Sequence, residues 1–277
     1  MLNSLNTGVS GMQQAQARMN VIGDNIANVN TTGFKSSRMT FQDAYSQILQ
    51  SGGGGQSPIE IGSGVTTAAT SFNWTEGQIA TTELKTDLYI SGDGFFMVKD
   101  PSTGEDFATR AGEFHIDQST EYLVNNNGQR VQGYSDSGLT QQGDLKINGD
   151  GRPADASPTA KVSKVDIAAD GRIVVTLDDG KSFTRGQVLL QSFRDPQALL
   201  RAGNNLYTGL ASAGPEGLGA PKSMGLGALQ AGALEMSNVD LATEFANLIM
   251  TQRAFQANAR MITSSDELMQ EMVNLVR

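Results

Sequence analysis

Two apolar stripes frame this chain, one at each end, and a different pattern lies between them. From the start, apolar or small side chains recur at Leu2, Leu5, Val9, Met12, Ala15, Met19, Ile22, Ile26 and Val29. Steps of three and four residues put these positions on one face of an α-helix, close to a coiled-coil seam. Asn28, Asn30 and Gly33 then supply stop signals. At the other end Leu241, Phe245, Leu248, Gln252, Phe255, Ala259, Ile262, Asp266, Met269, Val273 and Val276 alternate steps of four and three throughout. This is a seven-residue repeat with polar interruptions at Gln252 and Asp266. Asp240 stands where an N-cap belongs, and Glu244 adds negative charge in the first turn, where the helix dipole favours it. Such a helix, from residue 240 to the end, would be ~55 Å long at ~1.5 Å per residue.

Between the ends the period changes to that of strands. Leu88-Tyr89-Ile90 and Phe95-Phe96-Met97-Val98 flank the turn Gly92-Asp93-Gly94, and Phe107 to Ile116 gives a further strand candidate. Asn127-Gly128 separates Tyr122-Leu123-Val124 from Arg130-Val131, as a hairpin or bulged turn would. Asp170-Gly171 and Asp179-Gly180 punctuate the apolar runs 165–167, 173–177 and 188–190. Short strands with Asx-Gly turns at this spacing predict an all-β domain. Two stretches read as joints: Ser51-Gly52-Gly53-Gly54-Gly55, and the Gly-, Ala- and Pro-rich residues 209–232. The predicted order is helix, joint, β domain, joint, helix.

The ends need partners. The C-terminal seam carries eight large apolar side chains. Their full burial contributes at most ~12–24 kcal/mol, against ~1–2 kcal/mol of backbone entropy for each residue ordered. The N-terminal stripe is weakened by Gly8, Gly11, Gly23, Asn25 and Asn28. Ala246, Ala254 and Ala257 lie partly off the seam and allow close contact on other sides. Two arrangements remain open: a helical hairpin within one molecule, or helices that order fully only among copies. Periodicity requires a facing helix but does not say whose.

Composition narrows the chemistry. The 277 residues are lean in apolar (38%) and aromatic (6%) side chains, and Lys plus Arg (20) against Asp plus Glu (29) leaves a formal charge of −9. An acidic chain without a basic run is poorly suited to nucleic acid or an anionic membrane surface. No stretch approaches the ~20 apolar residues of a spanning helix, so membrane insertion is not expected. The start lacks the basic and apolar regions of a cleaved signal peptide. With no Cys and a single histidine, His115, the chain offers no thiolate metal site, no Cys nucleophile and one position for a Ser-His-Asp triad. A strand histidine facing solvent is the simpler reading of His115. Asn148-Gly149-Asp150-Gly151 hints at a calcium loop, but Lys146 and Ser157 occupy the first and twelfth ligand positions. Nothing marks a catalytic carboxylate pair, so no cofactor, metal or enzymatic activity is expected.

The motifs then carry a resemblance. Ser10-Gly11-Met12, followed by the run from Val21-Ile22-Gly23-Asp24-Asn25 to Thr32-Gly33-Phe34-Lys35, resembles the N-terminal signature of the flagellar rod and hook protein family. Gly92-Asp93-Gly94-Phe95-Phe96, Thr109-Arg110-Ala111-Gly112-Glu113-Phe114 and Gly203-Asn204-Asn205-Leu206-Tyr207 are similar to its β-domain segments. Gly232-Ala233-Leu234-Glu235-Met236-Ser237-Asn238-Val239-Asp240-Leu241 and Gln252-Arg253-Ala254-Phe255-Gln256-Ala257-Asn258 resemble its C-terminal signature. Asp24 departs from the usual Asn, and residues 135–158 match no family segment.

The resemblance implies an α+β fold. Residues 1–40 with 236–277 would form a coiled-coil-like inner helical domain, 41–73 a connecting segment, and 74–235 a β-rich outer domain with a Gly-rich return linker. It implies export through the flagellar type III apparatus without a cleaved signal, and growth beneath a cap as a hollow homopolymer. Its neighbours would be rod and hook–filament junction proteins. The contact set between copies would be Leu2, Leu5, Val9, Met12, Met19, Ile22, Ile26, Val29, Leu241, Phe245, Leu248, Phe255, Ile262, Met269, Val273 and Val276. Residues 235–240 and 266–269 look hook-like, which points to a short, bendable hook subunit. The alternative is a distal rod subunit, whose extra stiffening segment could occupy residues 45–64. A secreted adhesive or carbohydrate-active β protein is a reading of a different class.

Overall fold

The structure, a computed structural model, describes residues 2–50, 59–152 and 161–275. The Ser51–Gly55 joint, the 153–158 end of the 135–158 stretch, and Val276 lie outside the described residues. The chain forms two compact units, each drawn from separate stretches. One holds Met1–Val29, Ser36–Asn73 and Val239–Arg277; the other holds Asn30–Lys35 and Trp74–Asn238.

The first unit is helical with a strand ribbon. Helix α1 spans Leu2–Ala27 and helix α2 spans Leu241–Leu275, where the stripes predicted them. Asp240 caps α2: its Oδ1 accepts from Ala242 N (3.0 Å) and its Oδ2 from the Thr243 hydroxyl (2.6 Å). The two helices come close at glycines of α1. A Cβ on Gly8 would stand 3.0 Å from Ile262 Cγ1, and one on Gly11 would stand 2.5 Å from Asn258 Nδ2. The glycines that lower helix propensity therefore admit the partner helix.

Residues read as a connection form strands in this unit. Strand β1 (Ser37–Asp43) is followed by β2 (Ser46–Gln50), β3 (Ile59–Gly62) and β4 (Val65–Phe72). β1 pairs antiparallel with β4 from Ser37↔Phe72 to Asp43↔Val65, with a bulge between Thr40 and Phe41, and β2 pairs with β3. The Thr-rich β4 suits a pleated, half-solvated ribbon, yet its sparse large apolar residues gave no strand signal. Asn25, 1% exposed, ties three elements together. Its Nδ2 donates to the Ser37 carbonyl (2.9 Å) and to Glu244 Oε1 (3.0 Å), and its Oδ1 accepts from Ser37 N (3.0 Å). At the end of α1, Asn28 Nδ2 donates to the Asp24 carbonyl (2.9 Å) and to Asp24 Oδ1 (3.1 Å), a local role for the residue that departs from the family pattern.

The second unit is antiparallel β. Strand Phe95–Lys99 lies at its centre, paired with Asp106–Thr109 on one edge and with Arg130–Tyr134 and Leu190–Phe193 on the other. Alternation along it feeds two clusters. Phe96 and Val98 join Leu88, Leu123, Val131, Ile173 and Leu190 in the main core. Phe95 and Met97 join Phe193, Leu199 and Tyr207 on the opposite face, with Trp74 packed against them. The Asn127-Gly128, Asp170-Gly171 and Asp179-Gly180 turns join paired strands as predicted. His115 is exposed on strand Phe114–Ile116.

Residues 209–232, read as a loose joint, are built into this unit. Pro215–Gly219 pairs with Leu190–Phe193, and Ala228–Ala231 pairs with Leu88–Ser91. Ladder hydrogen bonds come from the backbone, so glycine and alanine can make them without an apolar pattern to announce it.

Candidate assembly surface on the C-terminal helix

Thr251 is buried on α2, and Glu244, Asn247, Leu248, Phe255, Asn258, Ala259, Ile262, Ser265 and Met269 are partly covered. They recur every three or four residues and form the stripe that faces α1. The seam residues Leu248, Phe255, Ile262 and Met269 thus lie on a face already met within one chain. On α1, Ile22 is buried and Leu5, Met12, Met19 and Ile26 are partly buried, as is Val29 just beyond the end of the helix. The helical-hairpin arrangement is what a single chain adopts. The remaining predicted contact residues stand open: Val9 (41% exposed), Leu241 (39%), Phe245 (49%) and Val273 (67%). The side chain of Leu2 is outside the described part.

A second apolar surface on α2 was not in the predicted set. Met250, Met261, Leu268, Met272 and Leu275 are 58, 49, 54, 52 and 84% exposed. With Ala254, Ala257 and Ser264 they follow steps of three and four residues, a repeat out of phase with the first. Only the alanines hinted at it from sequence, because two overlapping heptad patterns on one helix mask each other. Its N-terminal end opens into a groove of about 370 Å³ lined by Gly11, Ala15, Phe41, Val65, Met250 and Ala254. A water-exposed helix with apolar side chains on two faces has one more face than a hairpin needs.

The β unit holds a buried charged cluster. Lys35 Nζ donates to Glu235 Oε1 (2.6 Å) and to the Thr75 carbonyl (2.7 Å), and Gly77 N donates to the same Glu235 oxygen (3.0 Å). Arg110 Nη1 stands 3.5 Å from Glu235 Oε2 and its guanidinium lies 5.2 Å from the Phe95 ring centre. Burial holds the Lys35 ammonium below its usual range, with Arg110 acting in the same direction against the pull of Glu235. Nearby, burial and a hydrogen bond to Glu76 push the Tyr89 hydroxyl up to about 12. Asn205 Nδ2 to the Thr32 carbonyl (2.8 Å) and Gly33 N to the Glu235 carbonyl (2.7 Å) complete a clamp on residues 30–35. These groups tie chain segments together. Among the described residues no group of three or more His, Asp or Glu is placed to hold a metal ion, and no helix is long and apolar enough to cross a membrane.

Three family models match the chain. Residues 5–35 match "Flagella basal body rod protein", 89–175 match "Flagellar hook protein FlgE/F/G D1 domain", and 230–275 match "Flagellar basal body rod FlgEFG protein C-terminal". The flagellar basal-body rod protein FlgG of Bacillus subtilis is 39% identical over 289 aligned positions, covering all of both chains. The rod protein FlgG of Borreliella burgdorferi is 33% identical over 286 positions, again covering all of both. The flagellar hook protein FlgE of the same organism is 28% identical over an alignment of 443 positions, covering 99% of this chain and all of that one.

Proposed function

Because the chain belongs to the flagellar rod and hook protein family, we propose that this axial structural subunit is a distal rod protein, polymerising into a stiff hollow drive shaft of the basal body. The observation that carries rod over hook is the length of the alignments. Rod relatives align end to end, whereas the hook relative needs an alignment far longer than this chain of 277 residues. The hook-like look of residues 235–240 and 266–269 is local and yields to that full-length agreement. The β1–β4 and β2–β3 pairings support the same reading. A hydrogen-bonded ribbon after the first helix resists bending more than an open loop would.

In this reading the contacts between copies are heterologous and do not close, which yields an open helical polymer. Neighbouring axial segments of the flagellum cap it at either end. Of the contact set inferred from sequence, Val9, Leu241, Phe245 and Val273 remain available to a neighbouring copy, while Ile22, Leu248, Phe255 and Ile262 chiefly hold the two helices of one chain together. The test is electron microscopy of a deletion strain. Basal bodies with a truncated rod are the expected result; a complete rod lacking only the hook would refute the assignment. Polymers of the purified chain should be straight, and curved ones would favour the hook.

A further inference from the structure

The charged cluster buried in the β unit does not balance. Lys35 and Arg110, 0 and 4% exposed, share one buried carboxylate, Glu235. Glu235 is committed to Lys35: its Oε1 accepts from Lys35 Nζ at 2.6 Å and from Gly77 N at 3.0 Å. Arg110 Nη1 stands 3.5 Å from Oε2, and neither its Nε nor its Nη1 finds a hydrogen-bond acceptor among the described residues. Glu76, which also attracts Lys35, is exposed and already accepts from the Tyr89 hydroxyl and from Gly92 N. The Phe95 ring, 5.2 Å from Arg110 Cζ, supplies a cation–π contact where a second carboxylate is missing. A guanidinium removed from water with donors unused is costly unless something else meets it.

Arg110 lines a cavity of about 260 Å³ with Trp74, Phe95, Phe193, Met224, Asp93 and Glu216. That is below the ~300–1,000 Å³ of sites for drug-sized molecules, and suits one ring or one branched apolar group. Its walls are interlocked rings: Phe95 meets Trp74 edge to face at 5.1 Å and Phe193 at 5.4 Å. The rim is held in place as well. Met224, 84% exposed, sits at φ +53°, and Lys222 at φ +65°, a left-handed backbone that side chains disfavour. Backbone hydrogen bonds fix this turn. Lys222 N donates to the Gly227 carbonyl (3.0 Å), Leu226 N to the Ser223 carbonyl (2.9 Å) and Gly227 N to the Asp93 carbonyl (2.8 Å). Strain maintained by surrounding bonds is concentrated at ligand clamps.

The lining selects the ligand. A guanidinium short of counter-charge favours an anion, and its planar fork suits a carboxylate or a phosphate. Asp93 and Glu216 are exposed on the lining and repel a dianion more than a monoanion. The aromatic walls favour an apolar body and give a hydrated inorganic ion nothing in exchange for its water.

We propose that this cavity binds an organic monocarboxylate, its carboxylate on Arg110 and its single ring or branched apolar body between Trp74, Phe95 and Phe193. The site lies wholly within the β unit and stands or falls independently of the rod assignment. The test uses the full chain. Trp74, the single tryptophan, lines the cavity, so its emission reports occupancy directly, with calorimetry as a second readout. Phenylacetate, ionised at pH 7, should bind saturably with a Kd on the order of 1 mM. The isosteric but neutral phenylacetamide should bind at least tenfold more weakly, and inorganic phosphate should not compete. Free acids and peptide C-termini share this chemistry, and N-acetylglycylphenylalanine separates them: tighter binding than phenylacetate assigns the site to a peptide end, weaker binding to a free acid. Asp93→Asn with Glu216→Gln, both at exposed positions, should tighten phenylacetate at least threefold and leave phenylacetamide unchanged. Arg110→Gln leaves Lys35 and Glu235 as a matched pair and should erase the preference for acid over amide. If that variant does not fold, the rim variant still decides. Equal binding of acid and amide, displacement of phenylacetate by phosphate, an unresponsive rim variant, or no saturable binding of phenylacetate would each overturn the proposal.

Discussion

Replacing Glu235 by Gln removes one charge from a place that water does not reach and keeps the shape of the side chain. Glu235 is 1% exposed, Lys35 0% and Arg110 4%. The new amide oxygen can still accept from Gly77 N, so the 3.0 Å backbone bond is preserved. Lys35 at 2.6 Å and Arg110 at 3.5 Å lose their counter-charge. Breaking a buried pair by removing one partner costs about 3–5 kcal/mol. An independent limit comes from Lys35, which can shed its proton. Doing so at pH 7 from an unfolded pKa of ~10.4, at ~1.36 kcal/mol per unit, costs about 4.6 kcal/mol. The two routes agree, and the loss is a large share of the ~5–15 kcal/mol that holds a typical domain.

Trp74, the single tryptophan, packs 5.1 Å from Phe95 and 5.2 Å from Tyr207, so its emission during urea unfolding reports the β unit. The sign of the pH dependence follows from Lys35. Its folded pKa is lowered by burial, so the unfolded chain binds more protons just below the normal lysine range. Stability in that window rises with pH. In Glu235→Gln the attraction that opposes burial is gone, the folded pKa falls further and the window widens downward. The variant should therefore recover part of its deficit between about pH 7 and 10. Adding Lys35→Met should restore more than half of the loss. A deficit below about 1 kcal/mol, or one independent of pH, would refute the reasoning.

Other perturbations probe separate parts of the molecule. Gly112→Ala should destabilise the β unit by about 3 kcal/mol or more in Trp74-monitored urea unfolding, because the added Cβ would stand 1.7 Å from the Leu88 carbonyl oxygen. Gly128→Ala, at φ +79° with open space around it, should cost only ~1 kcal/mol in the same assay. Asn25→Ala strands the Ser37 backbone groups and should cost ~2–3 kcal/mol in helix unfolding followed by circular dichroism at low protein concentration. Phe255→Asp with Ile262→Asp places carboxylates on the stripe facing α1. It should reduce helical signal by separating the helices, with Trp74 emission unchanged; intact helicity would show that the stripe does not hold them. The Asp136 carboxyl is held at about 2 by hydrogen bonds from Gln141 N and from the Thr140 hydroxyl and N. Its loop should stay ordered above the normal aspartate range and open as pH falls toward 2, which proton-detected titration of the Thr140 amide would follow.

The chain's own pattern determined both helices, the cap at Asp240 and the Asx-Gly hairpins, because each depends on neighbours within a few residues. Periodicity also located the seam of Leu248, Phe255, Ile262 and Met269. What it could not decide was the owner of the facing helix, since an apolar stripe is the same whether its neighbour is internal or another copy. The tertiary structure assigned that stripe to α1 by placing Gly8 and Gly11 against Ile262 and Asn258. It thereby left the Met250–Leu275 face and the Leu241–Ile249 patch as the unspent surfaces. It also decided the fate of the glycine-rich residues 209–232 and of the ribbon in Ser36–Asn73. Ladder pairing there is chosen by backbone groups whose partners are distant in the chain, and distance in the chain is what a local pattern cannot see.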